Sequence, residues 1–221
     1  MRVVSLVPSV TETLFAWGVE PVAGTRFCDR PGLRVVGGTK DPDLERVMAL
    51  EPDLVVMDEE ENRREDFEAL VARGVEVLAL AVRDLADVAP EMARLARAVG
   101  ATLDQPVMAA APAASERAAV PIWRRPWRFL GLDTYGASLL ARAGFEVVPA
   151  DRGRYPALEL TSVAALRPDH VIAPSEPYPF GQRHRPELET VAPVLFVDGR
   201  DLFWWGARTA GALQRVVALL A

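Results

Sequence analysis

The stretch Ala49-Leu-Glu-Pro-Asp-Leu-Val-Val56 recurs 116 residues further along as Ala165-Leu-Arg-Pro-Asp-His-Val-Ile172. Each copy has the pattern of a helix end, a proline that stops the helix, and a buried strand. Such a pattern is common in α/β proteins, so one match does not establish a repeat. Two weaker matches occur in the same order, between residues 13–18 and 138–144 and between residues 77–78 and 195–196. Three matches in one order favour a duplicated unit.

Short apolar runs alternate with amphipathic stretches along the whole chain. Ser9-x-x-Glu12 has the spacing of a helix capping box, and Asp41-Pro42 predicts an N-cap followed by proline at the first helical position. The predicted strands are 2–7, 21–24, 53–57, 75–80, 118–123, 145–148, 169–173 and 194–197. The predicted helices are 10–17, 43–50, 62–73, 84–99, 134–143, 159–166, 185–191 and 206–220. This order is typical of α/β folds.

The repeat and the alternation together predict two similar α/β lobes. We place the N-terminal lobe at residues 1–83, a linking helical segment at 84–117 and the C-terminal lobe at 118–221. Residues 100–117 are rich in alanine and are interrupted by two prolines, so they are interpreted as a connector with a short second helix. Because ligands of such sheets bind outside the carboxyl ends of the strands, we expect the ligand cleft between the lobes.

The composition limits the partners of the protein. The 221 residues carry 25 Lys and Arg against 31 Asp and Glu, a formal net charge of −6. Nucleic acids and anionic membranes attract cationic surfaces, so neither is expected as the main partner. Cys28 is the single cysteine, which excludes a disulfide within the chain. We expect a monomer.

The first residues do not resemble an export signal. Arg2 leads directly into a predicted strand, without the apolar core and small-residue cleavage site of a leader. Two interpretations remain: a cytosolic protein, or the mature part of an exported protein whose leader was replaced by an initiator methionine.

Five motifs occur in an order that is typical of one family. They are Arg2-Val-Val-Ser-Leu-Val-Pro-Ser-Val-Thr-Glu-Thr-Leu-Phe15, Thr25-Arg-Phe-Cys-Asp29, Gly37-Gly-Thr-Lys-Asp-Pro-Asp-Leu-Glu45, Ala49-Leu-Glu-Pro-Asp-Leu-Val55 and Trp123-Arg-Arg-Pro-Trp127. Together they resemble the helical-backbone metal receptors, the class of ABC-transporter substrate-binding proteins that carry cobalamin, iron siderophores and haem. The resemblance runs from residue 1 to about 210. It implies an α/β fold of two Rossmann-like lobes joined by a rigid helical linker.

Aromatic side chains in predicted loops are the main candidates for ligand contact. Exposed rings are costly unless they bind something flat and large, such as a corrinoid, a porphyrin or an aromatic siderophore. For any single ring, local packing is an equally good explanation. The candidates are Phe27, Trp123, Trp127, Tyr155, Tyr178, Phe180, Trp204 and Trp205. Resemblance to the cobalamin-binding members of the family maps cleft aromatics onto Phe27, Trp127 and Tyr155, and maps a tryptophan onto Thr39.

Polar candidates are expected at the rim of the same site, where guanidinium groups bind carboxylates bidentately. They are Arg26, Lys40, Glu59, Glu60, Glu61, Asn62, Arg124, Arg125, Arg183, His184 and Arg185. Two histidines are too few for a site that binds a metal ion directly, so we expect no built-in cofactor. His170 is interpreted as structural. Cys28 is interpreted as a small buried hydrophobic residue, with metal or cobalt binding as the alternative.

The sequence favours a binding protein over an enzyme. Gly-x-Ser-x-Gly, Cys-x-x-Cys and His-Glu-x-x-His are all absent, and residues 37–40 lack the spacing of a phosphate loop. The resemblance also implies one docking glutamate on each lobe for the membrane subunits of an ABC transporter. The first falls on Glu45 and the second on Thr161, with Glu159 as the nearby acidic substitute. A cytosolic α/β enzyme or cofactor carrier on the same fold is the alternative.

Overall fold

The structure, a computed structural model, describes residues 1–102 and 116–220. Within these ranges the chain divides into two compact units. The first contains residues 1–82, 86–102 and 205–207, and the second contains residues 83–85, 116–204 and 208–220. The predicted connector lies mostly outside the described residues, so the bounds of the linking segment stay a prediction. No helix in the described ranges is both long enough and apolar enough to cross a membrane.

The first unit is built on a parallel four-stranded sheet of order β2-β1-β3-β4. Apolar residues of the strands and of helix α3 (Arg64–Ala72), among them Val4, Val55 and Leu70, are fully buried in its core. The elements are β1 (Val3–Ser5), α1 (Pro8–Ala16), β2 (Ala23–Gly24), α2 (Leu44–Met48), β3 (Leu54–Asp58), α3 (Arg64–Ala72), β4 (Val77–Leu80) and α4 (Leu85–Val99), of which α4 begins in the residues assigned to the second unit.

The second unit has a parallel sheet of order β8-β5-β9-β10 and a short antiparallel ribbon of β6 and β7. The elements are β5 (Glu116–Ala119), β6 (Pro121–Trp123), β7 (Arg128–Phe129), α5 (Tyr135–Arg142), β8 (Phe145–Val148), α6 (Leu160–Ala164), β9 (His170–Pro174), α7 (Arg185–Leu188), β10 (Val194–Val197), α8 (Arg200–Phe203) and α9 (Thr209–Val217). The predicted fold class of two α/β units with parallel sheets is confirmed.

The two copies of the repeat make the same hydrogen bonds. In the first unit, the Asp53 carboxylate accepts from the Arg2 N–H at 2.5 Å, and the Asp53 N–H donates to the Arg2 carbonyl at 2.9 Å. In the second unit, Asp169 makes both bonds with Arg117, each at 2.7 Å. The order of the strands also matches. When the four parallel strands of each unit are numbered along the chain, both sheets have the order 2-1-3-4. These details support duplication.

The match extends to the residue before each repeat proline. Glu51 and Arg167 have φ angles of 46° and 53°, in the left-handed region that few non-glycine residues adopt. The arginine side chains also make matching hydrogen bonds. The Arg2 guanidinium donates to the Leu50 carbonyl, and the Arg117 guanidinium donates to the Leu166 carbonyl. In each copy this leucine directly precedes the residue with the positive φ angle.

Two predicted helix starts are wrong. Helix α1 begins one residue before Ser9, because a proline with its fixed φ already suits the first helical position. Val7 precedes it in an extended conformation, with no side-chain cap. Helix α2 begins after Asp43, whose carboxylate accepts the N–H of Arg46 at 3.0 Å, so Asp43 and not Asp41 is the N-cap.

Candidate functional site

Five predicted contact residues follow two neighbouring strands of the second sheet. Strands β5 and β9 pair in parallel, with Ala119 opposite Val171, so their carboxyl ends lie side by side. The segments that follow them are residues 120–129 and 175–184. They carry Trp123, Trp127, Tyr178, Phe180 and His184.

These five side chains and Phe129 form one group of touching rings, which we call the aromatic cluster. Trp127 stacks on Phe180 with ring centroids 5.9 Å apart and planes 8° apart. Tyr178 lies 4.7 Å from Phe180 and meets Trp123 edge-on at 5.7 Å. The His184 ring meets Tyr178 and Phe180 edge-on, at 5.5 and 5.4 Å. The structure therefore brings together residues that the sequence spreads over sixty positions.

Burial divides the aromatic cluster into a base and a surface. Trp127 is 9% exposed, Phe180 is 6% exposed, and both belong to the core of the second unit together with Phe129. Trp123 is 46% exposed, and Tyr178 is partly exposed. The base has a packing role, and a ligand contact by Trp127 or Phe180 stays a prediction.

Polar groups border the aromatic cluster. The Arg124 guanidinium lies 5.8 Å from the Trp127 ring, and its Nε donates to a Glu187 carboxylate oxygen at 2.9 Å. Burial, together with the positive charges of Arg183 and Arg124, lowers the pKa of His184, so its ring is neutral at pH 7. Neutral His184 accepts the Gly181 N–H on Nδ1 at 3.1 Å.

Two further candidates lie beyond the other strands of the second sheet. Tyr155 follows β8, and the Arg154 guanidinium lies 5.4 Å from its ring. Trp204 follows β10 and α8, and it packs against the guanidinium groups of Arg200 and Arg208 at 5.8 and 5.6 Å. All four parallel strands of this sheet are thus followed by predicted contact residues.

In the first unit, the predicted residues lie in the loop that follows β2. Phe27 is 53% exposed and lies 4.9 Å from the Arg26 guanidinium. Arg26 is bound bidentately by Asp41, at 3.0 and 2.8 Å. Thr39 is buried, whereas Lys40 is exposed and donates to the Glu60 carbonyl at 2.5 Å.

Asp58, at the carboxyl end of β3, was missed in the sequence. It is 3% exposed, and its Oδ1 accepts the N–H groups of Glu60 and Glu61 at 2.8 and 3.1 Å. Its Oδ2 is buried and has no hydrogen-bond partner in the described part of the chain. Burial raises the pKa of Asp58 to about 7, against the two N–H groups that lower it.

Asn62 connects three loops at the same edge. Its Oδ1 accepts the Asp58 N–H at 2.8 Å, while its Nδ2 donates to the carbonyls of Leu6 at 3.1 Å and Thr39 at 2.9 Å. The loops that follow β1, β2 and β3 are therefore fixed to one another by one buried side chain. Asn62 was a predicted rim residue, and the structure gives it this structural role.

The surroundings of Cys28 are polar. Its Sγ lies 3.1 Å from the Thr11 hydroxyl and 3.4 Å from the Thr25 hydroxyl, and the residue is half-buried. Among the described residues, no group of three or more His, Cys, Asp and Glu side chains could hold a metal ion.

The two predicted docking residues lie on helices that occupy equivalent places in the repeat. Glu45 lies in the first turn of α2, with an exposed side chain 2.7 Å from Arg73. Glu159 is exposed and is the N-cap residue of α6. With the 116-residue offset, Glu159 corresponds to Asp43 and Thr161 to Glu45.

Residues 3–155 match the sequence profile of a family described as Periplasmic binding protein. The match covers more than half of the chain. The chain belongs to the periplasmic binding proteins. The resemblance noted in the sequence is thereby confirmed.

Vitamin B12-binding proteins are similar to part of this chain in sequence. Vitamin B12-binding proteins of Salmonella choleraesuis and Salmonella typhimurium are 31% and 32% identical to it over 99 residues. Each match covers 42% of this chain and only 37% of the relative.

Solved structures match over nearly the whole chain. The vitamin B12 binding protein BtuF of Vibrio cholerae has a TM-score of 0.80 at 18% identity and covers 99% of this chain and 96% of its own. The haem-binding protein BhuT, solved with two haems, has a TM-score of 0.80 at 20% identity and covers 100% and 99%. HutB of Vibrio cholerae, also haem-binding, has a TM-score of 0.79 at 19% identity and covers 100% and 98%. These likenesses show the periplasmic binding protein fold.

Proposed function

We propose that this periplasmic binding protein captures a flat metal chelate and delivers it to an ABC-type transporter. The names of its relatives give the candidate ligands, since two kinds bind vitamin B12 or haem and another is a possible iron-binding protein. The same names place these proteins in the periplasm, and we infer an extracytoplasmic location for this chain. Family membership favours a binding role over the cytosolic enzyme or carrier. The ligand class is therefore a corrinoid, haem or an iron-siderophore.

The aromatic cluster is the observation that carries the proposal. Trp123 and Tyr178 meet at an interplanar angle of 76°, so their exposed faces form a corner. Tyr178 in turn packs on Phe180, which stacks on the buried Trp127. A preorganised aromatic surface loses little conformational entropy when a flat ligand stacks on it. The corner suits the edge of a macrocycle.

The first unit has proposed ligand contacts of its own. Phe27 has more than half of its surface exposed, which is costly for a ring that binds nothing. Arg26, Thr39 and Lys40 belong to the same loop as Phe27, so this loop carries charged groups as well as a ring. We assign Phe27 as the principal ligand contact of this unit, with Tyr155 and Trp204 as further contacts of the second unit.

An absorption spectrum tests the ligand class. Protein purified from its source organism is measured first, because a bound corrinoid or haem absorbs visible light. Ligand-free protein is then titrated with cyanocobalamin, haemin and a ferric siderophore by isothermal calorimetry. We expect one of the three to bind in the micromolar range or tighter. Failure of all three to bind would overturn the proposed function.

Trp123→Ala is expected to weaken binding of that chelate by about ten-fold, because one ring stacked on an aromatic ligand contributes about 1–3 kcal/mol. Isothermal calorimetry measures the dissociation constant. Val71→Ala, which also removes exposed apolar surface but lies on α3, is the control and should bind like the wild type. Equal affinities for Trp123→Ala and the wild type would remove this ring from the site.

Glu45 and Glu159 are the proposed docking residues for the membrane subunits of the transporter. Reversing both charges, with Glu45→Arg and Glu159→Arg, is expected to lower transporter-dependent uptake by about ten-fold or more, because like charges then face each other at the interface. The control reverses Glu65 and Glu189, one exposed glutamate on each unit. Unaltered uptake in the Glu45 and Glu159 double variant would reject this docking mode.

A further inference from the structure

We propose that Asp41 in the first unit and Glu187 in the second each set the charge selectivity of the proposed ligand contacts of their own unit, by neutralising Arg26 and Arg124 respectively. In consequence, each set of contacts prefers a flat chelate with amide groups at its edge over one that carries peripheral carboxylates. This inference rests on the proposed function, and it deepens it by narrowing the chemistry of the ligand.

The first pair lies beside Phe27. The Arg26 guanidinium packs on the Phe27 ring, and both of its terminal nitrogens are bound by the two carboxylate oxygens of Asp41. Gly38 makes room for this arrangement, because a Cβ at Gly38 would lie 2.6 Å from the Arg26 guanidinium. Arg26, the predicted partner for an anionic group of the ligand, is therefore already paired with a carboxylate of the protein.

The second pair repeats the arrangement in the aromatic cluster. Arg124 packs on the Trp127 ring, and Glu187 binds it through two nitrogens at 2.9 and 2.8 Å. The Arg124 side chain is only 22% exposed, against 49% for Arg26. Charges that are shielded from water interact more strongly, so Glu187 should control selectivity more than Asp41 does.

The arginines that pack on Trp204 are also paired with carboxylates. Arg200 and Arg208 pack on its ring, and they are bound by Asp198 at 2.9 Å and by Asp201 at 2.7 Å. At three predicted aromatic contacts, an arginine on the ring thus carries a carboxylate partner. A site selected for anionic ligands would leave such guanidinium groups to the ligand.

The Asp41 carboxylate stays ionised at neutral pH. Hydrogen bonding to Arg26 lowers the pKa of Asp41 below its ordinary value, so the pair remains neutral as a whole across the physiological range. A ligand carboxylate would have to displace Asp41 or Glu187 and would be repelled by it. A ligand amide is uncharged, so it neither has to displace these carboxylates nor is repelled by them.

The test compares two ligands that differ by one charge. Cyanocobalamin has amide side chains, and its monocarboxylic acids, separated as isomers, each carry one carboxylate in place of an amide. Dissociation constants for both are measured by isothermal calorimetry with the wild type, Asp41→Asn and Glu187→Gln, and haemin with its two carboxylates serves as a second anionic probe. Unfolding midpoints of the variants verify that they fold.

We expect the wild type to bind cyanocobalamin more tightly than the acids. Asp41→Asn should shift the affinity ratio toward at least one acid by about three-fold, and Glu187→Gln by about ten-fold. Adding Arg26→Gln to Asp41→Asn should abolish the shift, because no free guanidinium then remains. The control Glu68→Gln removes the same charge from an exposed pair with Arg64 on α3 and should leave the ratio unchanged.

The outcomes separate this inference from the function on which it rests. Binding of cyanocobalamin with an unchanged ratio in both variants would overturn the charge selectivity and leave the proposed function standing. Tighter binding of the acids or haemin than of cyanocobalamin by the wild type would also overturn the charge selectivity and leave the proposed function standing. Binding of the ferric siderophore alone would overturn the charge selectivity and leave the proposed function standing. If neither the wild type nor any variant binds any of these chelates or the ferric siderophore, the proposed function falls and the selectivity falls with it.

Discussion

The Trp127→Ala variant is expected to lose about 3–5 kcal/mol of its unfolding free energy. The indole is 9% exposed and is stacked between Phe129 and Phe180 in the core of the second unit. Removing it deletes the transfer free energy of a large ring and leaves a cavity that neighbouring rings fill only in part. Urea denaturation followed by circular dichroism measures the loss.

Trp123→Ala is the matched control for this prediction. The same substitution four residues earlier removes a ring that is 46% exposed, so its unfolding free energy should change by less than about 1 kcal/mol. Trp127→Phe should recover part of the stability. Similar small losses for both alanine variants would contradict the buried position of Trp127, and a large loss at Trp123 alone would reverse the assignment of base and surface.

The Asp58→Asn variant is expected to be more stable than the wild type at pH 8, by an amount on the order of 4 kcal/mol. Burial raises the pKa of Asp58 from 3.8 to about 7. At a pH between these two pKa values, the Asp58 carboxyl group therefore keeps its proton in the folded protein and loses it in the unfolded chain. Wild-type stability therefore falls as the pH rises from about 4 to 7, and above pH 7 the full loss is present. Asparagine has no charge to bury and keeps an oxygen acceptor for the N–H groups of Glu60 and Glu61.

Unfolding free energies at pH 5 and pH 8 test this expectation. The difference between the two pH values should shrink in Asp58→Asn, although part of it will remain, because burial also raises the pKa of Glu61 while the charge of Lys40 lowers it. Glu65→Gln removes an exposed carboxylate from α3 and should follow the wild type. Parallel pH curves for the wild type and Asp58→Asn would show that Asp58 is ionised in the folded protein at pH 5.

The main strands were predictable because their residues carry local signals. Strand β8 was predicted at 145–148 and occupies those residues, since a turn before it and a proline after it bound a short segment with three buried apolar residues. Strand β7 and helix α8 were missed, because two and four residues are too few for any periodicity. Strand β7 exists through its pairing with β6, which is a tertiary contact.

The sequence predicts which loops carry the candidate rings but not how deeply each ring is buried. Trp123 and Trp127 belong to one motif and look alike in sequence, yet Trp127 is covered by Phe180, which lies 53 residues away. Asp58 was missed because three glutamates follow it and suggest an exposed helix start. Its burial depends on Asn62, which binds loops from distant parts of the chain.

The paired hydrogen bonds of Asp53 and Asp169 have an evolutionary consequence. Their carboxylates accept main-chain N–H groups of residues 2 and 117, which every amino acid except proline supplies. Substitutions at positions 2 and 117 therefore cost only the side-chain interactions of the arginine and leave the main-chain bonds to the aspartate in place. At positions 53 and 169, by contrast, the short acceptor side chain has few substitutes. Selection should therefore act more strongly on positions 53 and 169 than on positions 2 and 117, which explains why the aspartate of the repeat is kept in both halves while the residues around it differ.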